Sequence, residues 1–294
     1  MIILQSAVRY DIIAPVELRA CESAPVRPTN VARVLPVPMK VQKTGPVERP
    51  RRASSASVIS PRVVKREDDR RRAKAQAVET ILTSFYGPRV WTEGVYITDL
   101  VGALVATILS QNTSDLNSGR AYQSLKAAFP GGWEDVRTAP VNLVADSIRA
   151  GGLANIKAPR IQVVLDCIHD RFGRTDLDHI RDWDDDAIRV LLRSFPGVGA
   201  KTAACVLMFN LGRNALAVDT HVHRVSGRLG LIGPKVNADK AHDDLAALYE
   251  PEQLYSVHVH LIEHGRQICH ARRPECGRCP VSGQCDWFRN QKFG

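Results

Sequence analysis

The chain carries no run approaching ~18 uninterrupted apolar residues, so a membrane-spanning helix is not expected. Its opening, MIILQSAVRYDIIAPVELRACES, lacks the layout of a secretory signal: the apolar stretch is short, and Asp11 and Glu17 break it. Alternation of apolar and polar residues never persists long enough for a half-buried strand, and no segment repeats at a fixed period. Nor does the body of the protein carry net charge. Residues 75–294 hold 24 Lys and Arg against 24 Asp and Glu, whereas residues 1–74 hold 16 against 7. The whole excess of +9 therefore sits in the N-terminal segment, and the pI near 9.4 says nothing about the folded part. A nucleic-acid partner has to be argued from local charge and motif. At 44% hydrophobic and 24% charged, the 294 residues have the composition of a soluble globular protein with one large or two modest domains. A cytoplasmic, nucleoid-associated location is expected for a bacterial source; nucleus and organelle stay open.

The sequence changes character near residue 73. Residues 1–72 hold 8 of the 17 prolines, Ser/Ala stretches such as ASSASVIS and Arg runs such as REDDRRRAK, with no sustained apolar period. They are expected to form a disordered basic tail. Such a tail reads as a solvated linker, as residues ahead of a later start, or as a basic arm that holds phosphates. From RRRAKAQAVETILTSFYG onward, apolar residues recur at helical spacing (Val78, Ile81, Leu82, Phe85), and Gly87-Pro88 stops the helix. The segments DLVGALVATILSQNTSD, NSGRAYQSLKAAF, APVNLVADSIRAGG, IKAPRIQVVLDCIHDRFG and WDDDAIRVLLRSF continue in the same style. The expected fold class is all-α.

SFPGVGAKTAACVLMF reads as helix, hairpin, helix. Pro196 ends the first helix, and Gly197 and Gly199 permit positive φ and leave backbone N–H groups uncovered on either side of Val198. With the N-terminus of a helix starting near Ala200, these N–H groups form a phosphate cradle that grips a DNA backbone without reading sequence. An ordinary corner of a helical bundle is the plain alternative. Lys201 lies in the first turn of the second helix, where the helix dipole disfavours an ammonium group, and partial burial acts in the same direction. A neutral amine there is a nucleophile, although a lone lysine could simply touch a phosphate. Asp219 in NALAVDTHVHRV changes the balance. A helix of about 12 residues spans ~18 Å, and the short GRNAL turn brings the chain back toward the hairpin. A lysine and a carboxylate at one phosphate-gripping corner suit cleavage of a glycosidic bond. The carboxylate stabilises a developing oxocarbenium ion, and the amine attacks C1′. Asp219 is also placed to be a helix N-cap.

Of seven cysteines, Cys21, Cys167 and Cys205 are scattered, while Cys269, Cys276, Cys279 and Cys285 lie close together in CHARRPECGRCPVSGQC. Without a secretory signal the quartet reads as a metal site and not as disulfides. Only one C-x2-C is present and all four thiols share one compact loop, which suits a [4Fe–4S] cluster; zinc is the alternative. Arg272, Arg273 and Arg278 project from this loop as a second phosphate grip. Cys167 and Cys205 fall on apolar helix faces and read as buried thiols. His258, His260, His264 and His270 lie near the cysteines and read as helix-face residues.

The motifs FPGVGAKTA, VDTHVHRV and CHARRPECGRCPVSGQC, in this order, resemble the endonuclease III family of DNA glycosylases within the helix–hairpin–helix superfamily. ATILSQNTSD and GGLANIKA match more weakly, and the likeness covers roughly residues 75–290. The resemblance implies two all-α domains with a DNA cleft between them. Residues 98–212 would form a helical barrel carrying the hairpin, and residues 73–97 plus 213–294 an iron–sulfur domain. It implies a monomer that acts on double-stranded DNA containing damaged bases or abasic sites. Lys201 would be the Schiff-base nucleophile and Asp219 the catalytic carboxylate. Leu153 would wedge into the duplex, the Gln111-Asn112 loop would fill the gap opposite the flipped base, and His221 would lie near the lesion pocket. Oxidised pyrimidines are the expected substrates, with strand nicking by β-elimination. Three positions depart from the family pattern: Asn112 aligns with the family's gap-filling glutamine, Ala154 stands where an aromatic is common, and TDLDHIRDWDD is long. A mismatch-specific uracil or thymine glycosylase is the alternative, disfavoured by Lys201. The adenine-mismatch branch needs a carboxylate that LVGALVATIL lacks. A non-catalytic iron–sulfur DNA-binding protein is the reading from a different class, and the pairing of Lys201 with Asp219 argues against it.

Overall fold

The computed structural model describes residues 61–292, and the chain is all-α: no β-strand occurs among the described residues. The helices are α1 (Pro61–Tyr86), α2 (Leu100–Ser110), α3 (Asp115–Ala128), α4 (Trp133–Thr138), α5 (Val141–Ser147), α6 (Ala154–Phe172), α7 (Asp185–Arg193), α8 (Ala200–Cys205), α9 (Thr220–Leu229), α10 (Ala238–Ala246), α11 (Leu254–Gln267) and α12 (Asp286–Lys292). Several begin on a side-chain cap that satisfies an orphan N–H of the first turn. Asp99 accepts from Val101 N, Ser114 from Asn117 N, Asp184 from Ala187 N and Asn237 from Lys240 N.

The tail expected over residues 1–72 needs correction at its end. Residues 1–60 lie outside the described residues, but Pro61 already opens α1. Proline suits a first helical turn, where its missing N–H is not needed. Residues 65–70 of that helix are all exposed, so they show no apolar period for a sequence reader to find.

Two hydrophobic clusters divide the structure. One gathers α2 to α8 around Leu104, Ile108, Leu125, Ile161, Leu165 and Leu192. The other gathers α1, α9, α10 and α11 around Leu82, Val222, Val225, Leu245 and Leu261. Residues 215–218 form an extended segment where the two clusters meet. Ala215 and Ala217 face the first cluster; Leu216 and Val218 face the second. Extended backbone points successive side chains to opposite sides, so this short stretch anchors in both cores at once. The second cluster is also tied by a buried polar contact between α1 and α11. Glu79 accepts from Ser256 Oγ at 2.5 Å and pairs with His260 Nδ1 at 3.1 Å, while His260 Nε2 donates to Gly87 O at 2.9 Å.

Candidate active site

The hairpin is held from below by apolar residues. Phe195 and Val198 both sink into the first cluster, on either side of Pro196-Gly197. Gly197 takes φ 76°, a left-handed conformation that favours glycine. Gly199, equally permitted it, does not: its φ of −91° and ψ of −177° are extended. It serves as a bare N-cap for α8, and a Cβ built there would meet nothing within 4 Å, so the approach to the first-turn N–H groups is open. Val198 contributes packing, and its N–H donates to Phe195 O at 3.1 Å.

Lys201 stands half-buried in the first turn of α8. After Cys205 the helix widens into a π-turn over Val206–Asn210, a form frequent at functional sites. Trp91 Nε1 caps the Phe209 carbonyl at 2.8 Å. The chain then reverses at Gly212, φ 63°, which lies flat against the Trp91 ring; a Cβ there would come within 2.9 Å of it. The extended segment follows and ends at Asp219.

Asp219 is 3% exposed, and its two oxygens have different fates. Oδ1 accepts from Val222 N at 2.7 Å and caps α9. Oδ2 is buried and has no hydrogen-bond partner, an uncommon state for a buried carboxylate oxygen. Lys201 and Asp219 both act electrostatically on Cys205 and on His258, which brings the four groups together. Burial pushes the Cys205 thiol up to about 11 and pushes His258 down. His258 Nδ1 donates to Ala217 O at 2.7 Å, and His242 Nδ1 to Leu216 O at 2.8 Å. Two buried histidines thus satisfy successive carbonyls of the segment that delivers Asp219. His258 and His260 are therefore not ordinary helix-face residues, as the sequence suggested; both are buried polar struts.

His221 lies in the first turn of α9, half-buried. Its Nδ1 accepts from Arg224 Nη2 at 3.1 Å, which leaves the ring proton on Nε2. Burial holds its pKa below the usual histidine value. Arg224 also donates to Gly265 O at 2.9 Å and Cys269 O at 3.1 Å, fixing α9 on α11.

Two loops flank the hairpin. In the first, Gln111 and Asn112 diverge. Gln111 turns inward, where its Oε1 accepts from Arg160 Nη1 at 3.0 Å, whereas Asn112 is exposed with φ 55°. In the second, Leu153 is 49% exposed and left-handed at φ 52° as it enters α6. Arg160 joins this region to the hairpin, since a Cβ on Gly197 would stand 2.8 Å from its Cδ.

The cysteine loop follows α11. Cys269, Cys276, Cys279 and Cys285 line one cavity together with Arg228, His264 and Trp287. Among the described residues no His, Cys, Asp or Glu group gathers tightly enough for a single metal ion. Burial pushes the Cys279 thiol up to about 11, so thiolates there need a metal's positive charge. Arg228 props the loop: Nη1 donates to Cys269 Sγ at 3.3 Å and His270 O at 2.7 Å, Nη2 donates to Ala271 O at 3.0 Å, and the guanidinium lies over Trp287. His264 reaches Cys279 Sγ at 3.5 Å through Nε2, so it too belongs to this loop's support. Arg272, Arg273 and Arg278 are exposed, but Arg278 is engaged by Glu275 and by Gln267 O.

Comparison with known proteins agrees with this geometry. Residues 105–251 match the HhH-GPD superfamily of base excision DNA repair proteins, and residues 269–285 match the iron–sulfur binding domain of endonuclease III. The endonuclease III of Thermotoga maritima is 32% identical over 198 residues, covering 67% of this chain and 87% of the relative. That of Sulfolobus acidocaldarius is 31% identical over 191 residues, covering 65% and 83%. The chain belongs to the endonuclease III family. A solved non-covalent endonuclease III–DNA complex superposes with a TM-score of 0.64 at 26% identity, over 76% of this chain and 99% of that one. A plant relative from Arabidopsis thaliana is 38% identical over 170 residues but is covered over only 57% of its length. As an endonuclease III family member the chain carries the family's [4Fe–4S] loop within residues 269–285. No helix among the described residues is long and apolar enough to cross a membrane.

Sequence reading missed four contributors to the site: Cys205, Arg160, Arg228 and His258. Arg160, Arg228 and His258 act on residues distant in the chain and lie in no recognisable motif, and Cys205 in its apolar helix gave no sign of meeting Asp219. Only the apolar–polar mismatch of a histidine in the helical segment around 258 could have drawn attention.

Proposed function

We propose that this endonuclease III family member is a bifunctional DNA glycosylase and abasic-site lyase, acting as a monomer on oxidised pyrimidines in duplex DNA. The observation that carries the proposal is the unpartnered, buried Oδ2 of Asp219, which with the half-buried Lys201 acts on the same two buried groups, Cys205 and His258. A buried carboxylate oxygen with no protein partner is suited to a charge that arrives with the substrate.

The hairpin N–H groups hold the phosphate backbone beside the flipped nucleotide, with Leu153 wedged into the stack and Asn112 in the vacated space. His221 offers its Nε2–H to a carbonyl of the damaged base. Asp219 stabilises positive charge on the sugar as the N-glycosidic bond lengthens, and the bonding pair leaves with the base, which takes up a proton. Lys201 Nζ bonds to C1′ and gives up a proton; the C1′–O4′ bond breaks, O4′ takes up a proton, and a Schiff base results. Loss of a C2′ proton then expels the 3′ phosphate and nicks the strand. Cys269, Cys276, Cys279 and Cys285 hold the cluster, which when bound cross-links the loop bearing Arg272 and Arg273 and so presents these guanidinium groups to phosphate.

Borohydride reduction during reaction with a thymine-glycol duplex tests this. Wild-type protein becomes covalently joined to DNA and Lys201→Gln does not. A panel of duplexes with thymine glycol, dihydrouracil, an abasic site or uracil opposite guanine then reads the lesion. Binding without trapping on every duplex would leave a non-catalytic DNA clamp. Release of uracil alone would leave a mismatch glycosylase.

A further inference from the structure

Lys157 is a buried lysine, at 2% exposure, and the chemistry above makes no use of it. It sits in the first turns of α6, yet neither of its partners is an acid. Its Nζ donates to Leu109 O at 2.7 Å and to Gly151 O at 2.8 Å. Leu109 is next to last in α2, so its carbonyl is among those a helix leaves without an internal donor. Gly151 lies in the turn that enters Leu153 through Gly152. Gly151 itself is packed closely on α3: a Cβ there would stand 3.0 Å from Ala121 Cβ.

We infer that Lys157 is a positioning residue for duplex opening, its buried amine tying the loop that presents Asn112 to the turn that presents Leu153. Both displayed residues are left-handed and non-glycine, a conformation that persists only where the surroundings fix it. Arg160, three residues further along α6, braces Gln111 from the outside, so one helix end controls both loops. The tie does not depend on protonation. Burial brings Lys157 down to about 8, and an amine still carries two N–H donors for its two carbonyls. With the tie intact, wedge and filler enter the stack as one body. Without it, they move separately and the penalty falls on extruding the nucleotide, leaving the bond-breaking steps alone.

The inference rests on the proposed glycosylase reading, and its test separates the two. Lys157→Met keeps the shape and removes the donors. Single-turnover base release is measured on a fully paired lesion duplex and on one whose lesion faces an unpaired bulge, with borohydride trapping at a preformed abasic site as the chemical control. Loss of one buried bond pair predicts a fall of about tenfold on the paired duplex and less than about twofold on the bulged one. Fluorescence of 2-aminopurine opposite the lesion should report less extrusion. Lys157→Gln, which retains a donor, should show the same bias more weakly, and it replaces the methionine variant if that one does not fold. Equal losses on both duplexes, or no loss on the paired one, overturn the inference. Failure of wild-type protein to release the base from either duplex would instead overturn the glycosylase reading.

Discussion

Asp219 caps α9 with one oxygen and, on the proposed reading, meets the charge on the sugar with the other, and substitution can separate the two. Asparagine is as good an N-cap as aspartate, so Asp219→Asn keeps the acceptor for Val222 N. Its amide nitrogen replaces Oδ2, which has no partner to lose. Stability should therefore hardly change. Alanine removes the cap and should cost about 1 kcal/mol, or ~2–4 °C in Tm for a protein of this size. Catalysis should rank the variants differently. Removing one preorganised charge stabiliser typically costs about 10²–10³ in rate, or ~2.7–4 kcal/mol, and both variants lose that charge. The assay is single-turnover base release from a paired lesion duplex, set beside Tm by thermal melting. The expected pattern is near-equal, severe loss of excision in both variants, with a Tm loss in the alanine variant alone. If Asp219→Asn excises within about threefold of wild type, the carboxylate is only a helix cap and the free oxygen has no chemical role.

Two further perturbations address the frame around the site. Burial alone would lower the pKa of His260, but its hydrogen bonds to Glu79 and Gly87 O outweigh this and raise it. The charged form is thus favoured in the folded state, and the stability it adds is complete below the unfolded value of 6.5 and lost as pH rises through the higher folded value. His221 and His258, shifted down, act in the opposite sense in both proteins, so the Tm advantage of wild type over Glu79→Gln should shrink as pH rises across that window; a constant difference would refute the pairing. Arg228→Met removes three donations to the cysteine loop and the contact with Trp287. At ~0.5–1.5 kcal/mol per bond, the loop should loosen, so iron and sulfide per chain should fall on dilution or mild chelation while α-helical circular dichroism persists. Retention of full iron content would show that Arg228 is dispensable.

The sequence made the chemistry legible and the scaffolding mostly not. Pro-Gly-Val-Gly, the lysine after it, the aspartate before a helix and the four thiols announce themselves because short-range geometry dictates those residue types at those spacings. His258 and His242 do not, because their partners are carbonyls 41 and 26 residues away. Residues 65–70 of α1 were hidden for a different reason: they project into solvent and need no apolar stripe. Glycine permits positive φ without requiring it, and Gly199 does not use that freedom. Here its value is the absent side chain at the mouth of α8, a matter of access and not of dihedral.

Backbone strain carries information of another kind. Among the described residues, the only non-glycine residues with positive φ are Asn112, Leu153 and Arg273, at 55°, 52° and 54°. Asparagine tolerates this region, but leucine and arginine each sacrifice roughly 1–2 kcal/mol there. Glycine would remove the strain at all three positions, so the side chains must be wanted for themselves. Each strained residue is exposed, and each is braced by a buried or half-buried cation acting on the backbone nearby. Lys157 braces the turn before Leu153 and the end of α2 before Asn112, and Arg228 grips the carbonyls of His270 and Ala271 ahead of Arg273. On the proposed reading these are the wedge, the filler and a phosphate contact. The fold fixes each in a conformation it would not adopt alone, so the ordering free energy is met during folding and not when DNA binds.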